Sequence, residues 1–194
     1  MSGSTTRRSE SASKPSSLSG DTSVQRPPTG RLAESAVGRA LPVVPLAHHS
    51  GARIVLQGKW RALAIYTYPG NLCSPEDGYR SPSQDIAQHQ AFAGRCADLN
   101  TLRCRAVGIS SQSVELQRDV NVEHLLLCDP RLEFARDLGL PSFTADGSRW
   151  YRRCILVVAG GRVVHAVHPV SSPGQSALRV IEWLRANQDE FDGG

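Results

Sequence analysis

The chain has 194 residues and a formal net charge of +4, with its basic residues scattered along the sequence. That length suits one ordinary domain of ~100–150 residues with its own core, and so mild and dispersed a charge does not by itself argue for nucleic-acid binding. No apolar run approaches the ~20 residues needed to cross a membrane, and an odd count of five cysteines, none at knuckle spacing from another, excludes a disulfide framework and a structural zinc site. A reducing cytoplasm is the simplest setting for such a chain.

In chain order, residues 1–36 are rich in Ser, Thr, Gly, Pro and Arg and lack apolar periodicity, the composition of a disordered tail. No apolar segment follows Arg7-Arg8, so that pair is not read as an export signal. The folded domain is expected over 37–188, with a short flexible end at 189–194. Residues 52–57 read as a short strand closed by Gly58, and 62–68 as a strand buried on both faces and bounded by Pro69-Gly70. Residues 83–102 read as one helix, with Ile86, Ala93, Cys96 and Leu99 as its inward stripe. A strand over 103–110, a helix over 114–121, a short strand over 125–127 and a helix over 132–138 ended by Gly139 follow. Residues 155–167 read as a β-hairpin turning at Gly160-Gly161, and 176–186 as a closing amphipathic helix. A βαβ start with an antiparallel ββα end makes an α/β sandwich, a central mixed sheet flanked by helices.

Local strings in this order carry a resemblance. They are Tyr68-Pro69 at a strand end, Ala91-Phe92 and Ala97-Asp98-Leu99 on a helix, Gly108-Ile109-Ser110-Ser111-Gln112-Ser113 at the next strand end, Cys128-Asp129-Pro130, Ala135-Arg136-Asp137-Leu138-Gly139-Leu140-Pro141, and Arg152-Arg153 before a hairpin. Taken together they resemble the peroxiredoxins (the thiol-specific antioxidant group) of the thioredoxin fold, over residues 41–184, with the bacterioferritin-comigratory branch as the nearest flavour. The resemblance implies a thioredoxin-like sandwich, a peroxide or other small-molecule substrate, a thiol reductant, no cofactor, and pairing into a homodimer. It also implies an attacking cysteine at the start of the helix after Tyr-Pro. Aligned back from Gly108, that position and the resolving one hold Asp85 and Gln90; aligned forward from Tyr68-Pro69, the attacking position holds Glu76.

The usual thiol is therefore missing. A helix N-terminus and an arginine lower a thiol pKa from its ordinary ~8.5, and Arg153 and the helix start supply both supports. Cys73, in the loop after Pro69, is the candidate replacement thiol. Cys96, Cys104 and Cys128 read as small core residues, and strand alternation turns Cys154 away from Arg153's face. Asp85 is either a functional carboxylate facing Arg153 or a helix-stabilising one. His89, one turn on, is a proton carrier or a surface residue. Tyr66 and Tyr68 share a strand face, with Tyr68 and Pro69 at the pocket rim. Adjacent His48-His49 point apart on an extended chain, and no metal site is expected. Two functions follow: a thiol oxidoreductase using Cys73 and Arg153, or a peroxiredoxin-fold protein that binds or transforms a small molecule, or serves as a non-catalytic partner, with Asp85, His89, Tyr68 and Arg153 as candidate groups.

Overall fold

The computed structural model describes Met1 and residues 31–58, 60–70, 82–145 and 147–188. Its elements run α1 (Arg31–Glu34), β1 (Leu46–Ala47), β2 (Arg53–Ile54), β3 (Ala62–Tyr68), α2 (Pro82–Ala93), α3 (Cys96–Thr101), β4 (Cys104–Ser110), α4 (Val114–Gln117), β5 (Leu125–Cys128), α5 (Glu133–Leu138), β6 (Ser142–Ala145), β7 (Ser148–Tyr151), β8 (Cys154–Ala159), β9 (Arg162–Val167) and α6 (Ser176–Ala186). Seven strands form one sheet in the order β2-β1-β5-β4-β3-β8-β9, and β6 and β7 form a separate hairpin. β3, β4 and β5 are parallel, while β8 pairs antiparallel with β3 and β9. This is the mixed sheet between helices expected from the sequence.

Every residue of β3 is buried, as an unbroken apolar run requires of a central strand. Its alternation divides the core in two. Leu63 and Ile65 join Val107, Ile109, Leu127, Phe134 and Leu156 on one face, where Ala33 and Ala36 beside α1 also pack. Ala64, Tyr66 and Tyr68 join Phe92, Leu99, Leu126 and Ile155 on the other, under α2, α3 and α6.

Several expected boundaries move. The helix over 83–102 is two helices, because Gly94 and Arg95 interrupt it and Gly is about 1 kcal/mol worse than Ala in a helix interior. Its apolar-stripe reading is also corrected: Ile86 is 51 % exposed and Cys96 only partly buried, whereas Asp85, Gln88, His89 and Phe92 face inward. Ion pairing and hydrogen bonding to the sheet, not apolar count, set the rotation of α2. The strand over 52–57 shrinks to β2, and the helix over 114–121 to the single turn of α4. The β6–β7 hairpin was not anticipated. The 155–167 hairpin, the 176–186 helix and the stop at Gly139 (φ 69°) form as the sequence reads.

Candidate functional site

The C-terminal end of β3, the first turns of α2 and the residue before β8 meet at one place. Arg153 Nη1 forms an ion pair with Asp85 Oδ1, and the side chains are only 9 % and 3 % exposed. The same guanidinium nitrogen donates to Gln88 Oε1 at 3.2 Å. Gly70, just past Tyr68-Pro69, donates its backbone N–H to Asp85. Burial raises the Asp85 pKa above its ordinary value, and Arg153 and the Gly70 N–H offset part of that rise. Arg153 Nη2 is buried and has no hydrogen-bond partner among the described residues. His168 Nδ1 lies 2.9 Å from the Arg153 carbonyl oxygen, so the residue just after β9 also holds the arginine's backbone in place.

One helical turn beyond Asp85, His89 Nδ1 lies 2.7 Å from Tyr66 Oη. The same phenol oxygen lies 2.6 Å from His124 Nε2, just before β5. Phe92 stacks on the Tyr66 ring at 4.5 Å between centroids. Gly108 makes room for this phenol from the neighbouring strand: a Cβ there would lie 2.7 Å from Tyr66 Oη and 2.6 Å from Leu126 Cδ2. Burial lowers the pKa of His89 to about 4, helped by His124 and Arg153. Burial likewise lowers His124 to about 4, so both imidazoles are neutral at pH 7. Tyr68 meets His89 edge-on, with centroids 4.6 Å apart, and its hydroxyl accepts from Gln117 Nε2 at 2.7 Å. Burial raises both phenol pKa values.

The structure thus brings together Asp85, Arg153, His89, Tyr68 and the Tyr68–Gly70 strand end. Cys73 and Glu76 lie outside the described residues. Cys104, Cys128 and Cys154 are buried as expected, and burial pushes each thiol up to about 12. Cys154 bonds to Thr67 on the face opposite α2. Cys96, partly buried, also has a raised pKa. The rings of His48 and His49 do not point apart as the sequence suggests but lie 4.1 Å from each other, tilted by 42°, and His165 stacks on Trp183 at 4.7 Å. Among the described residues no group of three or more His, Cys, Asp or Glu could hold a metal ion.

The sequence reading missed His124, Gln88, Gln117 and the hydrogen-bonding role of Tyr66. Asp85, Gln88, His89 and Phe92 recur at helical spacing, a signal of a polar buried face. Nothing in the sequence marks His124, which lies 35 positions from His89 and is joined to it through Tyr66.

The strand order and the helices on both faces define a thioredoxin-like α/β sandwich in its peroxiredoxin form. No family model and no curated protein matches the sequence. Among solved structures, peroxidoxin BcpB from Mycobacterium tuberculosis superposes with a TM-score of 0.63 at 18% identity, covering 78% of this chain and 97% of that one. Peroxiredoxin Q from Xanthomonas campestris gives 0.62 at 20% identity, covering 78% and 98%. A cysteine-to-serine variant of PrxQ from Xylella fastidiosa gives 0.64 at 17% identity, covering 78% and 96%. At such identities the likeness establishes the fold and leaves the chemistry to the residues.

Proposed function

We propose that the protein is a peroxiredoxin-like thiol oxidoreductase that reduces a peroxide, with Cys73 as the attacking thiol and Arg153 as the cation that favours its thiolate. The observation that carries this reading is the unpartnered Nη2 of Arg153, a buried donor at a site that the chain enters through Gly70. Cys73 is three residues beyond Gly70, and three residues of chain span at most about 11 Å. The other four cysteines have raised pKa values, so none of them holds a thiolate near neutral pH. Support also comes from the solved neighbours. One concerns the alkyl peroxide reduction activity of the Xanthomonas campestris bacterioferritin comigratory protein, and another is a reduced Vibrio vulnificus peroxiredoxin in complex with hydrogen peroxide.

The step balances as follows. The Cys73 thiolate attacks one peroxide oxygen, an S–O bond forms, the O–O bond breaks, and the departing alkoxide takes a proton to become an alcohol. Two equivalents of an external thiol then reduce the sulfenic acid, releasing water and a disulfide. A reducing compartment such as the cytoplasm suits this cycle, and a homodimer is compatible with it.

Asp85 favours a second reading. It already neutralises Arg153, so the same pocket suits a polar small molecule bound or transformed without thiol chemistry. Stoichiometric hydrogen peroxide with a sulfenic-acid trap and peptide mapping separates the two. Fast, selective trapping on Cys73, with turnover lost in Cys73→Ser, is the expected result. Slow oxidation scattered over all five cysteines, with Cys73→Ser silent, overturns it in favour of the second reading.

A further inference from the structure

We propose that His124, Tyr66 and His89 form a proton relay that connects the cavity at the N-terminal ends of the parallel strands to the Asp85–Arg153 site at the start of α2. The cavity has a volume of about 520 Å³, and its wall includes Trp60 before β3, Cys104 at the start of β4, and His124 and Leu125 at the start of β5. The Asp85–Arg153 site lies at the opposite end of β3, beyond Tyr68. Between them run two short contacts in series, 2.6 Å from His124 to Tyr66 and 2.7 Å from Tyr66 to His89. His89 and Asp85 share the buried stripe of α2.

The hydroxyl of Tyr66 has one proton. It therefore donates to one ring and accepts an N–H from the other, so the chain has two orientations. In the first, His124 Nε2–H donates to Tyr66 Oη, Tyr66 O–H donates to His89 Nδ1, and the His89 proton sits on Nε2. A proton added at His124 Nδ1 converts this to the second orientation. The Nε2 proton of His124 passes to Tyr66, the Tyr66 proton passes to His89 Nδ1, and His89 releases its Nε2 proton. One proton enters, one leaves, and no charge stays in the core. The chain ends at His124 Nδ1; the His124 residue lines the cavity, while this atom is itself buried and has no partner among the described residues.

Titratable groups face the relay from several elements. Arg153 acts on His89 from β8's entry, and Tyr68 meets His89 from β3. Asp85 and Cys96 act on Tyr66 from the helices. Glu123 adjoins His124 in sequence, and Glu123, Arg105, His48, His49, Cys96 and Cys104 line the cavity. In the peroxide reaction, the use of the relay rests on the thiol oxidoreductase reading: His89 protonates the departing alkoxide, and His124 and Tyr66 resupply it. The relay itself does not depend on that reading.

Nitrogen-15 imidazole spectra of the full chain, recorded from about pH 3 to 8, test it. In the wild type, of the two nitrogens facing Tyr66, one is expected to be protonated and one bare. The first acid proton is expected to be shared between the rings as a coupled pair. In Tyr66→Phe and in His124→Gln, His89 should titrate alone and redistribute its tautomers. An unchanged His89 spectrum and titration in both variants overturns the relay; if Tyr66→Phe does not fold, His124→Gln decides. A second readout is Cys73 oxidation by an alkyl hydroperoxide, which Tyr66→Phe should slow by at least about 10-fold with loss of the solvent isotope effect. Cys73 that does not react even in the wild type sinks the oxidoreductase reading, and the imidazole coupling still decides the relay.

Discussion

At the scale of single residues, two buried imidazoles give stability a definite pH dependence. His89 and His124 each have a folded pKa of about 4, against an ordinary 6.5. A depressed folded pKa means that the unfolded chain binds the proton more tightly. The stabilisation is therefore complete above pH 6.5 and is lost as pH falls towards 4, by roughly 3 kcal/mol per ring at full loss. Asp85 acts in the opposite direction. Its raised pKa makes the folded state gain stability as pH falls through that value, which offsets part of the loss. Urea unfolding at pH 7, 5.5 and 4 should show this decline, and His124→Gln should flatten it. An equal slope in wild type and variant would rule out His124 as a contributor. At this scale the sequence offers Asp85 facing Arg153 as one of two readings, because a carboxylate in the first turn of a helix has a local reason to be there whether or not it meets an arginine. It does not show His124 beside Tyr66, because strand pairing across the sheet makes that contact and no local pattern encodes it.

At the scale of elements, the short helix α5 shows how a buried carboxylate organises its surroundings. Asp129 accepts the N–H groups of Glu133 and Phe134 at 2.9 and 3.1 Å and the Tyr151 hydroxyl at 2.5 Å. It thereby satisfies the free end of α5 and ties the β6–β7 hairpin to it. Asp129→Ala is expected to cost about 2–4 kcal/mol in urea unfolding, with Asp129→Asn costing less; a loss below about 1 kcal/mol would show that water replaces these bonds without penalty. The Cys128-Asp129-Pro130 string marks this place in the sequence as part of the resemblance, but the three donors are visible only in the fold. The same holds for α2. An apolar stripe read by counting points Ile86 inward, whereas the ion pair and the Tyr66 hydrogen bond turn Asp85 and His89 inward and leave Ile86 in water.

At the scale of the whole molecule, the described chain is built on one seven-stranded sheet with a core on each face, and Ala33 and Ala36 already belong to one of those cores. A chain beginning at Arg31 is therefore expected to unfold at the same urea midpoint as the full chain and to keep any activity found at Cys73. A loss of more than about 1 kcal/mol would mean that residues 1–30 stabilise the fold. The cavity beside His124 and the site beside Arg153 lie at opposite ends of the parallel strands, and the phenol between them is enclosed because Gly108 carries no side chain.

The sequence by itself determined the central strand Ala62–Tyr68, the glycine-turned hairpin, the closing helix and the peroxiredoxin-type order of elements. These rest on local signals: unbroken apolar runs, turn residues and helical periodicity, read along the chain. It also showed that the usual thiol is absent from the aligned positions. Only the tertiary structure decided which face α2 buries, that Asp85 and Arg153 pair in the interior, and that Tyr66 bridges two histidines from separate elements. The physical reason is that burying charged and hydrogen-bonding groups is favourable only when partners distant in sequence arrive together, and that meeting is a property of the packed sheet and helices.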